Sequence, residues 1–219
     1  MLEKIGIHFI DFERTGDNPV IIDAGACMGK YIEAISKRIK GCKIVAIECD
    51  RDHIEVLREK NYSNVTLCEK ALIGYNQKEK MVYHKYVGLP YSGSVGFEKT
   101  YIKDRLSRKF KGIERYEVET FGINDIFSEF GIDRIDYLKM NIEGAERDVL
   151  AAMTEETASR IDQISVSIHT RILGDLTSSP LKKSAGVDIL DRLNDLGFNA
   201  QKVDRRLMYG SFNNSSLLI

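Results

Sequence analysis

The chain has 219 residues, 43% apolar and 30% charged, with a formal net charge of −1. That length suits one domain, 1–219, with a sizeable core. The near-neutral balance excludes a global pull toward nucleic acid or an acidic membrane surface.

No apolar run approaches the roughly 20 residues needed to cross a bilayer, and Met1–His8 lacks the apolar stretch of a secretory signal. Cys27, Cys42, Cys49 and Cys68 show no paired CxxC spacing of a zinc or redox motif. Cys42 and Cys68 flank or fall within strand-like runs, where cysteine acts as a small hydrophobe. The expectation is a membrane-free cytoplasmic protein with no metal centre.

From Val20 onward short apolar runs alternate with amphipathic stretches, the pattern of βα units and a parallel sheet. Val20–Asp23 is the first strand and Lys30–Lys40 the helix after it. Lys43–Glu48 is the second strand. Asp50 caps a helix through Lys60 with Ile54 and Leu57 on its inner face, and Asn64–Cys68 is the third strand. The alternation breaks between Gly74 and Glu117, too long for a simple connection. This lid-like insert, 74–117, carries a strand-like run at Met81–Tyr86 and a small-residue loop at Tyr91–Gly96 that is placed to close over a site. Its basic stretch, Lys99–Arg115, holds seven Lys/Arg against two acids. A solvated helical face is the simplest account of that stretch. The functional alternative is attraction of an anionic acceptor such as a phosphorylated sugar, with two aromatics too few for nucleic acid.

Regularity returns with a strand at Tyr116–Phe121, a short helix at Asn124–Phe130 closed by Gly131, and a strand at Ile135–Asn141. A helix starts near Gly144, and Ile161–Ile168 is another strand. Ser184 is read as the cap of a helix ending at Gly197. Phe198–Val203 and Leu207–Phe212 form an antiparallel finishing pair.

Two places carry chemistry. The first is Asp23-Ala-Gly25-Ala-Cys-Met-Gly29, a tight turn between strand and helix. Glycines there let a ligand approach the backbone, and the helix N-terminus offers unpaired amides. Glu48 closes the second strand, where a carboxylate can accept ribose hydroxyls. The acid before the first glycine disfavours a pyrophosphate and suits a ligand with an ammonium and a sulfonium, so the pattern fits S-adenosylmethionine better than NAD. The second place is Lys139, Asn141 and Glu143, polar on alternate residues of a buried strand and so expected on one face at its end. Burying a lysine and a carboxylate there without partners is costly, which favours a site.

These residues resemble a known family. Ile21–Gly29, Val45–Glu48, the Ala71 region, Val118–Phe121 and Asp136–Glu146 are similar to the FkbM family of S-adenosylmethionine-dependent methyltransferases, in order from about Val20 to His169. The resemblance implies an α/β fold: a doubly wound, mostly parallel seven-stranded sheet with helices on both faces and an antiparallel last strand. It implies methyl transfer, usually to oxygen, with S-adenosylmethionine as cofactor. Asp23, Gly25 and Gly29 would hold the cofactor's amino-acid end, Glu48 its ribose, and the backbone around Lys70 and Ala71 its adenine. Two residues depart from the family pattern: Asn141 stands where Asp is usual, and Cys27 where Asn is common.

An alcohol acceptor must lose a proton during methyl transfer. Glu143 and His169 are the candidate bases, with Lys139 and Asn141 holding the acceptor or tuning the base. Glu146 is read as an acid favourable to a helix dipole. Two other readings stand beside this one: an NAD-linked oxidoreductase on a related fold, and a binding module that holds the cofactor without turnover. The acceptor reads as a small hydroxyl compound, and nothing excludes a homo-oligomer.

Overall fold

Ile21 and Ile22 are both fully buried, yet they lie in separate cores, because successive strand side chains point to opposite faces. The computed structural model describes residues 1–74, 80–89, 93–96, 109–169, 188–204 and 206–213. In chain order it opens with a hairpin, β1 (Leu2–Ile5) and β2 (His8–Asp11), followed by β3 (Val20–Ala24), α1 (Lys30–Arg38), β4 (Lys43–Ile47), α2 (Arg51–Lys60) and β5 (Val65–Cys68). Next come β6 (Ala71–Ile73), β7 (Lys80–Val87), β8 (Ser94–Val95) and β9 (Gly112–Gly122). The chain then runs through α3 (Ile126–Phe130), β10 (Tyr137–Met140), α4 (Glu146–Ala152), α5 (Glu155–Ser159), β11 (Gln163–Ser167), α6 (Ile189–Asp195), β12 (Phe198–Asp204) and β13 (Leu207–Phe212).

Seven strands make the main sheet in the order β12-β13-β11-β10-β3-β4-β5. β11, β10, β3, β4 and β5 run parallel, and β13 is antiparallel to both of its neighbours. This is the doubly wound sheet with an antiparallel last strand that the sequence implied. The chain leaves β3 toward β4 on one side and returns to β10 on the other. That reversal opens a crevice beyond the carboxyl ends of β3 and β10, where such sheets bind ligands.

One face packs Ile22, Leu138 and Ile164 against Phe127 of α3, Val149 and Leu150 of α4 and Leu193 of α6. The opposite face packs Ile21 and Tyr137 against Tyr31, Ile32 and Ile35 of α1 and Leu57 of α2. Here the hairpin adds Ile5 and Ile10, so this face is closed partly by two strands rather than by helices alone. Sequence reading found no element before Val20, because each hairpin strand is four residues long and mixes charge with apolar residues.

The smaller sheet, β6-β9-β7-β8, pairs β7 with β9 antiparallel and β6 with β9 parallel. Leu72 and Phe121 anchor it in the main core. Several boundaries differ from expectation. β9 begins at Gly112, so Gly112–Arg115 of the basic stretch is strand, and residues 97–108 lie outside the described set. Of the small-residue loop, 93–96 is described and Ser94–Val95 pairs with β7. Asp188 caps α6, accepting from the Leu190 and Asp191 amides. Ser184 and the loop 170–183 lie outside the described residues. Asp50 does cap α2, and Gly131 ends α3 at φ 60°. Among the described residues no helix is long and apolar enough to cross a membrane.

His8, 1% exposed, packs edge-on against Tyr31 and bonds through Nδ1 to Ser165 Oγ at 2.9 Å. Burial, then the nearby charges of Lys139 and His169, lower its pKa to about 2. A histidine kept neutral in the fold and free to protonate in the unfolded chain loses stability as pH falls below the unfolded value near 6.5. Between pH 7 and 5 the protein should therefore lose about 2 kcal/mol more than a His8→Gln variant. Urea unfolding of both proteins at several pH values measures that difference.

Candidate active site

β3 stops at Ala24 because the next residues cannot stay extended. Gly25, Cys27 and Gly29 have φ of 78°, 51° and 77°, left-handed conformations that suit glycine and strain cysteine. The Gly25 and Ala26 amides both donate to the Ile47 carbonyl, at 2.9 and 3.1 Å, which ties the bend to the end of β4. A β-carbon on Gly25 would lie 2.1 Å from the Asn141 carbonyl oxygen, so only glycine fits where β3 and β10 end together. Gly29 sits under Tyr62 at the start of α1 and does not line the cavity described below.

Lys139 and Asp23 face each other in register across β10 and β3. Lys139 Nζ donates to Asp23 Oδ1 at 2.6 Å and to the Gly25 carbonyl at 2.8 Å. Both side chains are almost wholly buried, at 3% and 0%. The polar row read from the sequence therefore splits. Alternation holds only while the chain is extended, and β10 ends at Met140. Lys139 points to the α1 face with its ammonium 5.8 Å from the Tyr31 ring centre, whereas Asn141 and Glu143 line the cavity on the other side of the bend. Asp23 likewise does not line the cavity. The pair acts on the site through the Gly25 carbonyl.

Glu48 leaves the end of β4 and is clamped by backbone donors. Its Oε1 accepts from the Cys49 and Asp50 amides at 2.8 Å each, and Oε2 accepts from Cys27 N at 2.7 Å. Burial alone would push this carboxyl up, but the adjacent His53 imidazole and the amides of Asp50 and Cys27 hold it below the usual carboxylate value. His53, in the first turn of α2, has Nδ1 3.8 Å from Glu48 Oε2 and Nε2 3.7 Å from Cys27 Sγ. Sequence reading passed over His53. The available signal was its position on the first turn of the helix that follows Glu48.

On the far side, Glu143 adopts φ 57°, and His169 lies just past the end of β11. His169 Nδ1 is 2.7 Å from Glu146 Oε1 and Nε2 is 3.4 Å from Glu143 Oε1. Glu146, 1% exposed, also accepts from the Ile142 and Gly144 amides at 2.9 Å each. It is thus the bracket that holds the turn and the imidazole together, a role beyond the helix-dipole one expected of it. Burial would lower the His169 pKa, but hydrogen bonding to Glu143 and Glu146 raises it to about 10.

These walls enclose a cavity of ≈ 190 Å³ at the strand ends. Gly25, Cys27, Glu48, His53, Ala71, Asn141 and Glu143 line it, with Tyr83, Ser94 and Val95 of the smaller sheet across from them. Tyr83 is anchored by its hydroxyl, which donates to Asp50 Oδ2 at 3.0 Å. A carboxylate on one strand end, an apolar slot beside Ala71, and a glycine bend between them form a site shaped for a nucleoside.

The model of the methyltransferase FkbM domain matches residues 23–200. The chain belongs to the FkbM methyltransferase family, whose cofactor is S-adenosylmethionine. A relative, methyltransferase sdnD of Sordaria araneosa, is 29% identical over an alignment of 170 residues that covers 68% of this chain and 66% of that protein. Among solved structures, fibrillarin of Aeropyrum pernix with natively bound S-adenosyl-L-methionine aligns over 92% of this chain and 69% of its own, at 13% identity and a TM-score of 0.47. Precorrin-6y C5,15-methyltransferase of Geobacter metallireducens aligns over 90% of this chain and 82% of its own, at 14% identity and a TM-score of 0.41. Scores of that size add nothing to the strand order itself.

Removing one member of a buried ion pair leaves the other charge uncompensated, at a cost of about 3–5 kcal/mol. Lys139→Met should destabilise the FkbM protein by about that amount. The double variant Asp23→Leu/Lys139→Met should be clearly more stable than Lys139→Met alone. Equilibrium unfolding in urea distinguishes this from simple addition of the two single effects.

Proposed function

We propose that this FkbM protein is an S-adenosylmethionine-dependent O-methyltransferase acting on a hydroxyl group of a small molecule. The observation that carries the reading is the amide-clamped Glu48 seated against the glycine bend, in the wall of a cavity that Asn141 and Glu143 also line. A carboxylate has about four acceptor sites, and three of them here are taken by backbone amides, so acceptor capacity remains for a ribose hydroxyl. Ala71 and Leu72 supply an apolar wall for the adenine. The bound cofactor supplies an electrophilic methyl group on sulfur.

What remains is alignment, water exclusion and proton removal, and the chain's own residues provide each. The smaller sheet, with Tyr83 and Val95, covers the cavity. Asn141 orients the acceptor hydroxyl but cannot take its proton. His169, raised to about 10, is a cation at neutral pH and so is not the base. Glu143 takes the proton, and the His169 charge beside it favours an alkoxide-like acceptor oxygen. Lys139 acts at a distance by holding the bend through Asp23 and the Gly25 carbonyl.

Isothermal calorimetry should show S-adenosylmethionine and its demethylated product binding, with NAD silent. Glu48→Gln should weaken that binding about tenfold or more, the loss of one charge-assisted hydrogen bond. Glu143→Gln should leave cofactor affinity within a few-fold and slow methyl transfer from labelled cofactor into cell extract by about 10²-fold. Tight NAD binding without any response to the sulfonium would falsify the reading.

The His169 titration is a separate check. Its raised pKa contributes stability that is fully present below the unfolded value near 6.5 and is lost as pH rises through about 10. Imidazole NMR should find both ring nitrogens protonated at pH 7.5. A neutral ring at that pH would return the base role to His169.

A further inference from the structure

Cys27 stands in the cavity wall with its sulfur 3.7 Å from His53 Nε2, and the other ring nitrogen faces Glu48 Oε2 at 3.8 Å. Thiol, imidazole and carboxylate in this order are the parts of an activated nucleophile: the ring takes the thiol proton and the carboxylate steadies the resulting cation. Cys27 also lies just ahead of α1, a nine-residue helix whose N-terminal amides favour negative charge. We propose that Cys27 is a modification site, a thiol set against the His53 ring, whose oxidation by a peroxide blocks the cofactor cavity.

The neighbouring thiols provide the contrast. Cys49 lines the same cavity and donates its amide to the same Glu48. Burial, and then the charges of Glu48 and Asp50, push the Cys49 thiol well above its ordinary value. Burial likewise raises Cys42, and it raises Cys68 to about 11. His53 responds in the opposite sense. Burial would lower it, but Cys27 and Glu48 raise it to about 10, so the ring carries its proton at neutral pH. One cavity thus contains a thiol matched to a cation and a thiol surrounded by acids.

In the reaction the Cys27 sulfur attacks one oxygen of hydrogen peroxide. The O–O bond breaks, an S–O bond forms, and the departing hydroxide takes the His53 proton and leaves as water. Sulfur gives up two electrons and the peroxide accepts them, yielding a sulfenic acid. The added oxygen enlarges a side chain in the same cavity wall as Glu48 and Gly25, where the ribose and amino-acid end of the cofactor are placed above. The blocking effect therefore rests on that reading of the cavity, whereas the reactivity of Cys27 does not.

Two measurements on the full chain test the proposal. Timed labelling with iodoacetamide at pH 7, read by peptide mass spectrometry, should modify Cys27 at least about tenfold faster than Cys49 in the same molecules. His53→Gln should slow Cys27 and leave Cys49 unchanged, with circular dichroism checking that the variant is folded. Equal rates for Cys27 and Cys49 in the unsubstituted protein overturn the proposal without recourse to any variant. Treatment with hydrogen peroxide should then reduce calorimetric binding of S-adenosylhomocysteine, while in Cys27→Ser the ratio of treated to untreated binding stays at one. A matching loss in Cys27→Ser overturns the blocking role. If neither protein binds S-adenosylhomocysteine before treatment, the cofactor reading fails, and the labelling rates still decide whether Cys27 is the reactive thiol.

Discussion

The buried pair of Asp23 and Lys139 joins the two strands whose ends define the site. Each charge loses its water on burial, at several kcal/mol per ion, and the attraction between them does little more than offset that loss. What the pair adds is register. Lys139 can reach Asp23 Oδ1 and the Gly25 carbonyl together only when β10 and β3 are aligned as observed. A slip of one residue would send the ammonium to the other face, between Ile22 of β3 and Ile164 of β11. The same row continues to Ser165 on β11, whose hydroxyl meets His8 of the hairpin. A polar layer therefore runs beneath the site from β3 to β11, and it fixes which strand ends meet in the crevice.

Above that layer two acids at strand ends are held in different ways. Glu48 is fixed by three amides from two loops. Its two oxygens are thereby held in a set geometry at the cavity wall. Glu143 has a partly exposed carboxylate, 28% accessible, and sits 3.4 Å from the His169 ring. Glu48 is therefore the more tightly held of the two. Each acid stands beside a histidine raised to about 10. The cavity thus has an acid paired with a histidine at either end.

Most of the sheet was legible because its strands are short apolar runs punctuated by helices with ordinary caps. The site was legible where chemistry and local sequence coincide. Gly25 and Glu48 each end a strand, and a strand end in this topology is a site by position. Lys139 was placed in the wrong row because period-two alternation was carried past Met140, where the chain turns. The purpose of Asp23 was also hidden, since its partner lies 116 residues away. The contacts of Glu146 and His53 were hidden for a related reason. Both sit in first turns of helices, where a charged residue is ordinary, and only the packing of β11 and of the glycine bend gives them partners. The hairpin escaped notice because four-residue strands carry too little period to register.

Asn141, the departure from the family pattern, fits the charge count of its surroundings. Glu143 and Glu146 share one imidazolium on His169, so this cluster already has one more negative charge than positive. Asn141 lines the same cavity as Glu143. A carboxylate there would add a third acid next to the proton acceptor and raise the cost of keeping all of them ionised. A neutral amide keeps a donor and an acceptor for an incoming hydroxyl without that repulsion.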